Sequence, residues 1–209
     1  MRRGLYPRLA FLSIRKNKKI YVPYILTVMA MVTMFFLVLF FSVDPEVATV
    51  KGGPVLQGSL SFGVIIITLF AMIFLFYTNS FLMRRRKKEF GLYNMLGMGK
   101  KNLAKILCWE TVIMAFVSIT GGILLGILFS KGGQLLLLKF FGGAASLTFH
   151  IHPDVITNTL VIFLVIFLLL LVHSLVQIKK LSPVELLQSE SAGEKPPKAN
   201  WIFAIAGVL

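Results

Sequence analysis

Four stretches of this sequence, Ile20–Ser42, Leu60–Leu82, Ile106–Phe129 and Val155–Val176, run for 22 to 24 residues each with almost no charged side chain. As helices rising 1.5 Å per residue they reach about 33 to 36 Å, enough to cross a hydrocarbon core of about 30 Å. Lipid offers backbone N–H and C=O groups nothing to bond with, so each crossing must satisfy them within a helix. The pattern predicts an all-α, polytopic membrane protein with spans at 20–42, 60–82, 106–129 and 155–176. A composition 57% hydrophobic and 14% charged fits no soluble domain of this length.

A formal charge of +14 raises nucleic acid as a partner, but the positions of the cations answer it differently. Segment 1–19 carries seven Lys and Arg, the gap after the second span eight, and the region after the fourth span four. The first and third gaps carry only Lys51, Lys131 and Lys139. Such asymmetry is the topological signature of a membrane protein and puts the N-terminus, residues 83–105 and residues 177–200 in the cytoplasm. No nucleic acid is needed to explain it. Met1-Arg2-Arg3 before an apolar run imitates a signal peptide, but the run is too long for one and no A-x-A site follows, so it reads as a retained span.

Between the spans, 1–19 reads as a basic amphipathic segment. Residues 130–153 form an outer loop whose apolar piece Leu135–Phe141, bracketed by glycine pairs, is too short to span and suits an interfacial or re-entrant segment. In 177–200, Ser182 with Glu185 forms a capping box with Pro183 at the first helical position. That starts a short helix exposing Leu186 and Leu187, either on the membrane surface or against a partner. The closing WIFAIAGVL, 201–209, reads as the start of a fifth span or as a surface segment.

Little here carries chemistry. LGMGKK (96–101) imitates a phosphate loop, but Asn94 stands where Walker A needs its first Gly, and Lys101-Asn102 follow the Lys in place of Ser or Thr. His150-x-His152-Pro-Asp154 has no third ligand nearby in sequence, and the single Cys108 permits no intrachain disulfide. His173, inside the fourth span, reads as functional or as a hydrogen-bonded structural histidine near the cytoplasmic end. No catalytic arrangement, cofactor site or metal site is expected in this chain. The third span repeats small residues every fourth position, Ser118, Gly122, Gly126 and Ser130, a stripe that lets another helix approach closely.

The block RRKKEFGLYNMLGM (85–98), the basic pair after it, Glu110, Gly121-Gly122 and Gly126, and the closing LSPVELL (181–187) together resemble the FtsX-like permeases of ABC transporters. The wording RLAFLSIRKNKKIYVPY (8–24) and FGLYNMLGM (90–98) is most similar to the Bce-type branch, which acts in bacitracin and antimicrobial-peptide resistance. The short gap Val43–Ser59 agrees with that branch, because other branches place a large domain there. The resemblance implies an FtsX-like core in a bacterial cytoplasmic membrane, with ATP and Mg held by a separate ABC ATPase. It also implies a peptide antibiotic or its cell-wall-precursor complex as target, membrane lipid as surroundings, and a sensor histidine kinase as a further partner. An FtsX-like permease for lipid, lipoprotein or cell division, or a non-transporting signalling subunit, is the alternative. Arg86, Glu89, Phe90, Tyr93, Leu96 and Gly97 are then expected to couple to the ATPase, with Phe90, Tyr93 and Leu96 offering an apolar edge and Gly97 and Gly99 breaking the helix; Leu186 and Leu187 are a second docking element. Glu110 either pairs with the basic cluster or stands unpartnered at the interface.

Overall fold

The computed structural model describes residues 5–95, 97–141 and 152–180, and the regular structure within them is helical. A short α1 (Leu5–Lys16) leads into α2 (Lys18–Val43), a single-turn α3 (Pro45–Thr49), and three long helices, α4 (Gly53–Met95), α5 (Lys100–Phe141) and α6 (Pro153–Lys180). Helices α2, α4, α5 and α6 are each long and apolar enough to cross a membrane.

Large apolar side chains on several faces of α2 put it in the middle. Tyr21, Val28, Val32 and Phe35 are buried with Leu75 of α4, Met114 and Ile119 of α5, and Phe163 and Leu170 of α6. Phe35 meets Phe163 edge to face, centroids 5.6 Å apart at 79°, the geometry that the ring quadrupoles favour. Consequently α2 packs against all three other long helices, while α4 and α5, consecutive in the chain, touch each other little. The outward faces carry exposed Phe62, Phe70, Ile73, Phe116, Leu128 and Leu168, side chains at home among lipid tails.

The α2–α5 seam is built on the small residues of α5. A Cβ on Gly122 would stand 2.5 Å from Val32 Cβ, and one on Gly126 would stand 2.6 Å from Phe36 Cδ1. Only glycine permits that approach. Thr33 Oγ1 uses it to donate to the Gly122 carbonyl at 3.0 Å, and Ser118 and Ser130 lie fully buried in the same stripe.

Two boundaries differ from the expected spans. Helix α4 does not stop at Leu82; it runs unbroken through the basic block to Met95. Helix α5 continues past Phe129 to Phe141, so Leu135–Phe141 forms its last turns, continuous with the third apolar run. Tertiary contacts explain the second difference. Gly133 lies where Phe41 crosses, so close that a Cβ would stand 2.7 Å from the ring. Gln134 Nε2 donates to Asp44 Oδ2 at 2.8 Å and Glu46 Oε2 at 2.9 Å. These hold a helix across two glycines that each cost about 1 kcal/mol. Asp44 also caps α3 by accepting from Glu46 N at 2.8 Å, and its carbonyl accepts from Gln57 at 2.7 Å. Leu186, Leu187 and the expected fifth span at 201–209 lie outside the described residues.

Candidate functional site

The basic end of the bundle is where charge, a helix break and buried polar groups coincide. Residues 83–95 contain good helix formers and no proline, so α4 propagates beyond its apolar part. Gly97 then takes φ +82°, a left-handed conformation open to glycine without steric penalty. The chain turns there, and the Gly99 carbonyl accepts from the N–H groups of Asn102 and Leu103 to begin α5.

Buried positions on α4 recur at helical spacing: Ala71, Leu75, Asn79, Leu82, Arg86, Phe90. Extending that stripe by four residues from Leu82 selects Arg86 from the five consecutive cations and turns it inward. Its guanidinium grips the Glu110 carboxylate of α5 as a fork, Nη2 to Oε1 at 2.9 Å and Nη1 to Oε2. Arg86 is 3% exposed and Glu110 fully buried. Charge-assisted and bidentate, such a pair is among the stronger and more directional contacts available.

Every neighbouring element contributes to this hub. Tyr21 of α2 donates its hydroxyl to Glu110 Oε2 at 3.3 Å. Ser13 of α1 accepts from Arg86 Nη2 at 3.2 Å. Glu89 lies 3.6 Å from Arg86 Nε and accepts from Asn17 Nδ2 at 2.6 Å. The guanidinium stacks over Phe90 at 4.8 Å and Tyr21 at 5.5 Å, adding cation–π attraction where water is scarce. Farther along α1, Tyr6 donates to Asn102 Oδ1 at 3.0 Å and lies under Lys105 Nζ at 5.3 Å. Thus α1 clasps the ends of α4 and α5 that flank the Gly97 turn.

Of the residues singled out in the sequence, Arg86, Glu89 and Glu110 meet in this hub, and Gly97 makes the break. Of the two readings of Glu110, the paired one holds. Phe90 needs correcting: it is 1% exposed, packed among Met83, Leu103, Leu107 and Ile178, and offers no outward edge. Three helix ends converge there, and burying the ring yields about 2 kcal/mol that an exposed position would forfeit. Among the described side chains of this segment, Leu92, 54% exposed, is the large apolar one that faces outward. The side chain of Tyr93 and all of Leu96 lie outside the described residues.

His173 sits in a second polar cluster between α4 and α6. Its Nε2 lies 2.8 Å from Gln177 Nε2 and 3.5 Å from Ser80 Oγ, and Phe76 packs against the ring at 5.5 Å. Beside it Asn79 Nδ2 donates to Ser174 Oγ at 2.8 Å. The histidine is therefore hydrogen-bonded into a helix contact. Sequence reasoning passed over Asn79, Ser80 and Ser174, although polar interruptions at matching depth in two apolar runs were a usable signal. Among the described residues, no three His, Cys, Asp or Glu side chains converge as metal ligands.

A family model described as FtsX-like permease C-terminal matches residues 61–183, the stretch holding α4's long extension, the Gly97 turn, Glu110 and the glycine seam. The chain belongs to the FtsX-like permeases. With its four long apolar helices, it is a multi-pass membrane protein. It is 31% identical over 197 residues to a Bacillus subtilis protein named "Uncharacterized ABC transporter permease YvcS", covering 93% of this chain and 30% of that one. It is 28% identical over 193 residues to the bacitracin export permease protein BceB of Halalkalibacterium halodurans, covering 92% of this chain and 30% of the relative. Against BceB of Bacillus subtilis the identity is 27% over 198 residues, covering 94% and 31%. The chain thus spans about a third of the length of these relatives.

Proposed function

We propose that this FtsX-like chain is the part of an ABC transporter permease that receives the stroke of a separate ATPase and serves resistance to peptide antibiotics such as bacitracin. The observation that carries the coupling role is the Arg86–Glu110 pair, buried at the foot of a helix that runs unbroken from span to basic block. A push on residues 91–95 enters a helix that continues unbroken into the second span, and α1 clasps both sides of the turn that follows. The asymmetry of Lys and Arg supports placing this end, with the N-terminus, in the cytoplasm of a bacterial cell. ATP and Mg belong to the partner; Leu92 replaces Phe90 as the side chain offered to it. Two relatives named as bacitracin export permeases support the substrate class. A sensor histidine kinase is the further partner this reading admits.

The test is deletion of the full-length gene, followed by complementation with wild type and with a variant lacking the hub pair. Sensitivity to bacitracin and related cell-wall-directed peptides is expected to rise on deletion and to be reversed by wild type alone. Unchanged inhibitory concentrations with filamentous cells would move the assignment to a cell-division role.

A further inference from the structure

We infer that the crevice between α2 and α4 at the basic end is a binding site for an anionic phospholipid. Lys19, Ile20, Pro23, Tyr24 and Thr27 line one wall, and Thr78, Phe81, Leu82 and Arg85 line the other, around about 400 Å³. Both sets follow helical spacing, so each wall is one continuous helix face. The two cations sit at the mouth and the apolar side chains below it. From Lys19 to Thr27 the wall descends about 12 Å at 1.5 Å per residue, the depth of a glycerol backbone and the upper part of an acyl chain.

Charge selects the occupant. Among the described residues, no acidic side chain lines the crevice; Glu89, the nearest acid along α4, is taken up by Arg86 and Asn17. Arg85 lies over the Phe81 ring at 5.1 Å, and both line the crevice opposite Lys19. Pro23 has no N–H to give the Lys19 carbonyl, so one acceptor near the mouth lacks its usual intrahelical donor. A phosphate diester with a hydroxyl-bearing headgroup meets all three features: two cations for its charge, an acceptor for its donor, and an apolar trough for its chain. A zwitterionic headgroup brings its own cation to the same mouth and gains less. The leaflet rests on the orientation proposed above; the chemistry does not.

The experiment uses the full-length protein with Phe81→Trp as its single tryptophan, reconstituted in vesicles of brominated phosphatidylglycerol or brominated phosphatidylcholine. Bromine quenches indole on contact, so the two lipids in varied ratio give a relative binding constant at the crevice. A basic side chain near an anionic surface contributes on the order of 1 kcal/mol, about fivefold, so the two together favour phosphatidylglycerol by up to about 25-fold. Lys19→Gln/Arg85→Gln is expected to bring the ratio to about one, while Arg8→Gln/Lys16→Gln, which removes two exposed cations of α1, leaves it high. Both pairs are solvent-exposed, so neither disturbs the core. Equal quenching by both lipids in the parent protein would overturn the proposal, as would loss of preference in the α1 control. Absence of quenching by either lipid would show the crevice covered by protein and would overturn it too.

Discussion

Removing one member of the Arg86–Glu110 pair should cost far more than removing both. At an effective dielectric of about 20 and a charge separation of about 4 Å, the pair interacts by roughly 4 kcal/mol. Breaking a buried pair by deleting one partner costs about 3 to 5 kcal/mol, because the survivor is left charged without compensation, whereas replacing both by apolar residues of similar volume is often neutral. The surroundings predict an asymmetry between the single variants. In Glu110→Met, Arg86 keeps Glu89 at 3.6 Å, a carboxylate one-third exposed, and Ser13, so the loss falls near 3 kcal/mol. In Arg86→Met, Glu110 keeps, among the described residues, the Tyr21 hydroxyl alone, and the loss approaches 5 kcal/mol.

The assay is a double-mutant cycle on protein in detergent micelles, following loss of the folded species with denaturant by fluorescence-detected size exclusion. The double variant Arg86→Met/Glu110→Met is expected within about 2 kcal/mol of wild type, giving a coupling energy of at least about 3 kcal/mol. Resistance separates structure from mechanism: the double variant should fold and insert yet confer less of it, because the charged link from α4 to α5 is gone. Additive losses, with coupling under about 1 kcal/mol, would refute the reasoning and make the pair a bystander.

Other outcomes follow from the same geometry. Phe90→Asp buries a carboxylate in an apolar cluster and should unfold the basic end at a cost of several kcal/mol, seen as aggregation on solubilisation; Leu92→Asp should leave stability unchanged and abolish ATPase co-purification. Retained ATPase binding by Leu92→Asp would return this face to lipid or solvent. Gly122→Leu or Gly126→Leu forces Val32 or Phe36 aside, a loss of about 3 kcal/mol, so the protein should insert normally but lose its sharp elution profile. Asn79→Leu removes one interhelical hydrogen bond and should cost only about 0.6 to 1.7 kcal/mol, measured in the same denaturation assay. In a Cys108→Ser background, Lys51→Cys should react with an impermeant thiol reagent added outside intact cells and Lys101→Cys should not; labelling of Lys101→Cys would invert the orientation.

The spans were legible because lipid leaves a backbone no alternative to the helix, and that constraint acts on every residue of a run. What lies beyond a run was less so. Arg86 is one of five consecutive cations, and composition treats them alike; only the buried stripe from Ala71 through Asn79 and Leu82, carried forward at helical spacing, separates it from Arg85. That requires α4 to continue past Leu82, which a plan ending each helix at the membrane boundary forbids. Phe90 misled for the same reason. Spacing shows that Phe90 belongs to an apolar edge but not which way it faces, and the convergence of three helix ends decided that. The α1 clasp was illegible outright, since Ser13 and Asn17 reach partners more than seventy residues away and small polar residues near a basic end look like any solvated segment.

The packing order of the helices gives the hub its significance. Since α4 and α5 scarcely touch along their length, a movement of α4 reaches α5 through α2 or α6, which pack against both, or directly at the basic end, through Arg86–Glu110 and the contact of Phe90 with Leu103 and Leu107. The α2 route passes through interlocked side chains and close glycine contacts, where Val32 and Phe36 have no room to slide over Gly122 and Gly126. The direct route is short, polar and held from both sides by α1 and Tyr21. On the coupling role proposed above, a stroke arriving at the end of α4 meets α1, α4 and α5 joined at the basic end. It is expected to tilt α4 and α5 together against α6, whose contact with α4 at this depth runs through Asn79, Ser174, Ser80 and His173. Hydrogen bonds at that contact can exchange partners at little cost, whereas an apolar interlock would have to be pulled apart. On that proposed role the charged hub carries the force, and the polar part of the α4–α6 contact yields to it.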